Sequence, residues 1–258
     1  MIRLCDFTPS PAEGVLLNRI VIFANGELPD LEAARAVVQP TDTLIAADGG
    51  AKHCRALGLT PHILIGDFDS LSPADLATLE AAGVRIIRHP ARKEQTDLEL
   101  ALDLALAEGA KDILILGALG GRWDQTLANV LLLIRSDRWR VSRQQATDPK
   151  GVLRKVATTN VRVRLLDGMQ EISLLRGPGE LALTGDAGDT VSLIPIGGDA
   201  RGITTSGLEY PLRGENLIFG STRGISNVMM AGQATISLTE GLLVCTVIRQ
   251  NTTTNLGK

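Results

Sequence analysis

The chain has 258 residues, 44% hydrophobic and only 3% aromatic, so it can bury a sizeable core that must be built from Leu, Ile, Val and Ala. Its 26 basic residues face 29 acidic ones for a net charge of −3, without a long basic block, which argues against nucleic acid as a partner. Cys5, Cys54 and Cys245 form neither a disulfide framework nor a CxxC metal pattern, and no apolar run approaches the roughly 18 residues that a membrane helix needs.

The first stretch, MIRLCDFTPSPAEG, lacks a basic start followed by a long apolar segment, so a reducing, cytoplasmic setting is expected. RIVIFAN (19–25) is a continuous apolar run and predicts a buried strand; LEAARAVV (31–38) predicts a helix. TLIAAD (43–48) reads as a strand, GAKHCRALG as a short helix, and HILIGD (62–67) as another strand. Ser72 caps the next helix, Pro73 takes its first position, and Gly83 ends it. VRIIRH (84–89) is a strand. Thr96 with Glu99 three residues on makes a capping box that starts a helix at Asp97. DILILG (112–117) is a strand and DQTLANVLLLI (124–134) a helix. Strands apolar on both faces, alternating with helices, predict a Rossmann-like parallel α/β domain over 18–138.

From about Val161 the rhythm changes. RVRLL, EISLL, ELALTG, TVSLIPI, GITTSG, NLIFG, ATISL and LLVCTVI read as short strands separated by Gly, Pro, Asp and Asn. They predict a C-terminal antiparallel β-sandwich over 161–250, with polar, basic 139–160 as a linker or insertion.

Carboxylates sit where a parallel sheet collects ligands, at the C-terminal strand ends. Asp48 ends one strand; Asp67 and Asp69 follow another. Two residues apart in extended chain, the latter pair would share a side at about 6.5 Å and could grip one hard cation such as Mg²⁺. Acidic turn residues after strands are also common without a metal. Asp97 either stabilises its helix start or, with the backbone N–H groups there, faces a metal–phosphate complex. Arg92 and Lys93 add positive charge just before it. The glycine-rich turn in ILGALGGRWDQTLAN (115–129) would let backbone approach a ligand, although it matches neither GxGxxG nor the P-loop pattern. Arg122 is a candidate phosphate contact; Asp124 binds ligand or caps the helix. His53, His62 and His89 have no triad spacing and there is no GxSxG, so a serine or cysteine hydrolase fits poorly.

Taken in order, AADGGA, GDFDSL, KEQTDLELAL, GALGGRWDQTLANVLLL, VSLIPI, GITTSGLEYPL and GISNVM resemble the successive motifs of the thiamine pyrophosphokinase family across 20–248. The resemblance implies a homodimer that needs Mg²⁺ and transfers the pyrophosphoryl group of ATP to thiamine, releasing AMP. It implies that Asp67, Asp69 and Asp97 form the catalytic metal and phosphate cluster. Asp48, Lys93, Gln95, Thr96, Arg122 and Asp124 would be neighbouring nucleotide or substrate residues. Ser206, Tyr210, Ser226 and Asn227 would line the thiamine side, at the dimer interface. Glu94 departs from the Asp usual in that motif, and Gln125 from a common His. Tyr210, the only tyrosine, suits the thiamine cation. The alternatives are a non-catalytic thiamine or nucleotide sensor on the same scaffold, and another magnesium-dependent nucleotide or nucleotide-sugar transferase.

Overall fold

Strands β1 (Arg19–Phe23), β2 (Thr43–Ala47), β3 (Ile63–Gly66), β4 (Arg85–Arg88) and β5 (Asp112–Leu116) pair in parallel in the order β5-β1-β2-β3-β4. These belong to a computed structural model describing residues 19–92, 94–135 and 161–250; Lys93 and the expected linker at 139–160 lie outside them.

The unbroken apolar runs serve two faces at once. Val21, Phe23, Leu44, Leu64 and Leu114 meet residues of α1 (Leu31–Val37), α2 (Ala51–Ala56) and α3 (Pro73–Ala81). Ile20, Ile22, Ile45, Ile63 and Ile113 meet α4 (Asp97–Ala107) and the segment following α5 (Trp123–Leu131). Alternation with period 2 produces this division. In α4 the buried stripe Leu98, Ala101, Leu102, Ala105 and Leu106 follows the helical period. Full burial of Leu102 or Leu106 stabilises the fold by about 1.5–3 kcal/mol each.

The predicted caps are present. Thr96 Oγ1 accepts the Glu99 N–H at 3.2 Å and Ser72 Oγ accepts the Asp75 N–H at 3.1 Å. Each satisfies a donor that a helix start leaves unpaired.

The sheet continues into the second half. β6 (Arg162–Asp167), read from sequence as a sandwich strand, lies parallel beside β5. β7 (Gln170–Arg176) then pairs antiparallel to β6, followed across the sheet by β14 (Leu242–Ile248), β9 (Thr190–Pro195) and β12 (Asn227–Val228). The result is one ten-stranded mixed sheet. A second, four-stranded sheet has the order β11-β10-β13-β8, built from β8 (Gly179–Thr184), β10 (Ala200–Ser206), β11 (Arg213–Leu217) and β13 (Gln233–Leu238). It packs on the far end of the first through Leu175, Leu193 and Val247 against Leu183, Ile203 and Ile236. The α/β half and the antiparallel sandwich are therefore both present, joined by a shared sheet. β11 stops at Leu217, so Ile218 and Phe219, predicted to be in a strand, are exposed. The Phe219 N–H bonds to Asp199 Oδ1 at 3.0 Å rather than to a strand.

Candidate active site

The C-terminal ends of the parallel strands open onto a cleft of about 690 Å³. Two of its acidic residues, Asp48 and Asp97, pack against Gly66, whose φ is +154°. A Cβ there would stand 3.0 Å from Asp48 Cβ and 3.2 Å from Asp97 Oδ1. Glycine alone permits both the backbone conformation and the approach of two acidic residues from neighbouring elements.

Asp48, Asp67 and Asp97 come together there, each offering an oxygen within 4.8 Å of the others. Asp48 opens a 3-10 turn, Asp48–Gly50, directly after β2 and is buried. Its Oδ2 accepts the Ser70 hydroxyl at 2.7 Å, while its Oδ1 is buried and accepts no hydrogen bond. A buried carboxylate oxygen without a donor is costly, and a hard cation relieves it.

The expected extended Asp67–Asp69 grip is not the geometry found. Phe68 has φ +66°, which turns the chain between the two aspartates. Asp69 is exposed and outside the trio, and its N–H donates to Asp67 Oδ1 at 3.2 Å. The charge of Asp67, then that of Asp48, raises the Asp69 pKa above the usual carboxylate range. Phe68 buries its ring, which the Arg88 guanidinium covers at 4.8 Å.

Gln95 and Thr96 line the same cleft. Gln95 Nε2 donates to Glu99 Oε1 and Asp103 Oδ2, both at 3.0 Å, and Arg135 binds the same two carboxylates. Carboxylates only accept, so this network fixes the amide orientation and leaves Gln95 Oε1 as the free acceptor. Arg122 lines the cleft, with Nη2 2.5 Å from Asp124 Oδ2 and Nε 3.2 Å from Oδ1. This fork pushes the Arg122 pKa up and the Asp124 pKa down. Asp124 therefore holds Arg122; it neither caps α5, whose N-cap is Arg122, nor belongs to the cleft lining.

The glycine-rich turn after β5 is fastened to the loop after β1. The Gly26 N–H bonds to the Gly117 carbonyl at 2.7 Å, and the Glu27 N–H to the Leu119 carbonyl at 2.8 Å. Among the polar lining residues that sequence reasoning missed are Asn25, Glu27, Lys52, Thr126 and Asn129. Asn25 follows a strand end, the same signal that identified Asp48; Lys52 reads only as a helix residue.

Ser206, Tyr210, Ser226 and Asn227 are not part of this cleft. Three of them form a group in the C-terminal half. Asn227 accepts the Tyr210 N–H at 3.0 Å and donates to the Tyr210 carbonyl at 2.7 Å, and Ser226 precedes it with φ +60°. Ser206 hydrogen-bonds Thr235 Oγ1 at 2.6 Å.

An acid-lined cleft at the carboxyl ends of a parallel sheet places the chain among α/β proteins, the class in which ligands collect at such strand ends. Comparison with known proteins narrows the class. Residues 34–145 match the thiamin pyrophosphokinase catalytic domain, and residues 180–243 match the thiamin pyrophosphokinase vitamin B1 binding domain. The thiamine pyrophosphokinase of Bacillus subtilis is 33% identical over 201 residues, spanning 78% of this chain and 84% of that protein. A crystal structure of the Bacillus subtilis thiamine pyrophosphokinase has a TM-score of 0.73 at 29% identity, covering 90% of this chain and 100% of that one. Thiamin pyrophosphokinase from Candida albicans shares the fold, with a TM-score of 0.66 at 18% identity over 90% of this chain and 88% of that one. The chain belongs to the thiamine pyrophosphokinase family.

Proposed function

We infer that this chain is an ATP-dependent thiamine pyrophosphokinase, making thiamine diphosphate and AMP. Pyrophosphoryl transfer from ATP to thiamine is what the family does. The observation that carries its location is the Asp48, Asp67 and Asp97 cluster, with an unpartnered buried oxygen on Asp48.

The three aspartates would hold Mg²⁺. Carboxylate oxygens converging on one point are the ligands such a hard cation takes. When bound, the ion neutralises phosphate charge and polarises the transferred group. Asp69, beside the trio, adds to the field that attracts the cation. Thr96 spends its acceptor on the Glu99 N–H, leaving its hydroxyl hydrogen for a phosphate oxygen. Gln95 offers an acceptor to an amino group of either substrate, and Arg122 a cation to the phosphates. The thiamine hydroxyl oxygen bonds to the β-phosphorus, the bond from that phosphorus to the α–β bridging oxygen breaks, and AMP leaves with that oxygen. The hydroxyl proton passes to solvent. Positioning and charge supply most of such catalysis.

The thiamine half of the site would come from a second copy. Tyr210 is 64% exposed, with Ile218, Phe219, Ile225 and Met230 also exposed in the same half. On the cleft side Trp123, next to Arg122, is 74% exposed. A homodimer that brings the Tyr210 patch to the cleft would cover both and give the thiamine cation an aromatic face. Residues 18–138 would then hold nucleotide and metal, and residues 161–250 thiamine and the partner. Buried free Cys54 and Cys245 suit a reducing cytoplasm, and no described helix is long and apolar enough to cross a membrane.

Chromatography of a reaction with ATP, Mg²⁺ and thiamine should show thiamine diphosphate and AMP together. ADP as the nucleotide product would indicate a simple kinase, and tight thiamine binding without turnover a sensor. Sedimentation should give twice the chain mass of 27.4 kDa; an active monomer would overturn the shared thiamine site.

A further inference from the structure

We propose that Lys52 and Asn25 form an anion-recognition pair, which binds the phosphate chain of the nucleotide in the cleft that also holds the aspartates. The identity of the anion rests on the function inferred above; the donor arrangement does not.

The pair is built by its surroundings. Asn25 leaves the end of β1, and Lys52 is the second residue of α2, just past the Asp48–Gly50 turn. Both line the cleft. The Asn25 carboxamide lies against Gly49, where a Cβ would come within 2.4–2.6 Å of its Oδ1, Cγ and Nδ2. Glycine at position 49 is what lets the amide rest there. Lys52 Nζ donates to Asn25 Oδ1 at 2.8 Å and to the Asn25 carbonyl at 3.2 Å. An ammonium only donates, so the amide oxygen must face it, and the amide nitrogen must face away.

The consequence is a polarity. Both Asn25 acceptors turn toward the ammonium. The groups left over are donors: the third hydrogen of Lys52 Nζ and the two of Asn25 Nδ2. A cluster of donors around a fixed positive charge suits an anion. Ordering an exposed lysine side chain also costs entropy, and Lys52 neither caps α2 nor fills a core.

Charge in the rest of the cleft supports the assignment. Asp48, Asp67 and Asp97 repel phosphate unless a cation intervenes. Arg122 divides its charge between Asp124 and any phosphate. Among the described residues lining the cleft, Lys52 is the cation without a carboxylate partner.

The test compares Lys52→Gln and Lys52→Arg with the unaltered chain. ATP affinity is measured by calorimetry with Mg²⁺ and without thiamine, then KM for ATP and for thiamine are measured separately. Loss of a charge-assisted hydrogen bond should weaken ATP binding about 10- to 100-fold in Lys52→Gln, with the thiamine KM little changed. Lys52→Arg should recover most of the loss, since charge and donors remain. Melting temperatures should stay together because the side chain is exposed. ATP affinity unchanged in Lys52→Gln, or equal weakening toward both substrates, overturns the proposal. If the unaltered chain makes no thiamine diphosphate yet binds ATP in a Lys52-dependent way, the function is wrong and this site stands. If it turns over normally and Lys52→Gln binds ATP as well, only this site falls.

Discussion

Replacing Asp48 with Asn separates the fold's interest from the site's. The substitution keeps shape, keeps an oxygen for the Ser70 hydroxyl, and suits the left-handed backbone at φ +46° better than most residues. What it removes is charge. At a separation of 4.8 Å and an effective dielectric of about 20, two carboxylates repel by about 3.5 kcal/mol. Asp48 takes part in two of the three pairs. Screening by cleft water and by neighbouring groups reduces the gain to about 1–3 kcal/mol in metal-free stability. For a chain of this size that is a rise in Tm of about 2–4 °C per kcal/mol. Thermal unfolding in a chelator should show it. Added Mg²⁺ should then raise the Tm of the unaltered chain and leave Asp48→Asn nearly unmoved. Turnover should fall by about 10²-fold or more, the scale for losing a preorganised electrostatic contact. A variant that is less stable without metal, yet keeps its Mg²⁺ response and turnover, would refute the carboxylate cluster as a metal site.

Gly66→Ala should lose about 2–5 kcal/mol, from left-handed strain and the Asp48 and Asp97 contacts together, with activity lost even where the protein stays folded. Urea unfolding and the product assay check it; a variant equal to the parent in both would remove Gly66 from the site's construction. Burial lowers the His53 pKa from 6.5, so the neutral ring is favoured on folding. The unfolded chain takes up that proton first as pH falls below 6.5, and His53 lowers stability until its folded form titrates too. His53→Gln should flatten the stability–pH curve in that window; an unchanged slope would refute this. Burial pushes Cys54 and Cys245 up to about 12, so peptide mapping after alkylation at mildly alkaline pH should find both unmodified in the native protein and modified after denaturation.

Local signals in the sequence were accurate where the physics is local. Thr96 with Glu99, Ser72 with Pro73 and the apolar runs of β1 to β5 need only near neighbours to act, and each appears as expected. The position of β6 was not legible, because RVRLL alternates in the same way whether it joins β5 in parallel or closes a sandwich. Its partner is set by pairing 50 residues away, Asp112 with Arg162. The Asp67–Asp69 geometry failed for another reason. Extended chain is the default after a strand, and a left-handed phenylalanine is rare enough that no residue type announces it. Lys52 was invisible because its significance lies in Asn25, 27 residues earlier. Asp48 was placed correctly at a strand end, but its membership of the acidic trio depends on Gly66 lacking a side chain.

Left-handed backbone and the proposed metal site coincide in this fold. Among the described residues, the non-glycine positions with left-handed backbone are Asp48, Phe68 and Ser226. Each such conformation costs of order 1–3 kcal/mol and persists only if its surroundings enforce it. The enforcement is visible for the first two. Asp48 is held by the Ser70 hydroxyl and packed against Gly66. Phe68 is held by its buried ring, by Arg88 above that ring, and by the His89 N–H on the Gly66 carbonyl at 2.8 Å. Both constraints act on the few residues that set where the Asp48 and Asp67 carboxylates stand. Relaxing either turn to an ordinary strand exit would gain local backbone energy and separate the carboxylates. The fold therefore retains strain at the two turns that bring the Asp48 and Asp67 carboxylates together. Ser226, the third such position, precedes Asn227, which hydrogen-bonds the Tyr210 backbone in the second half.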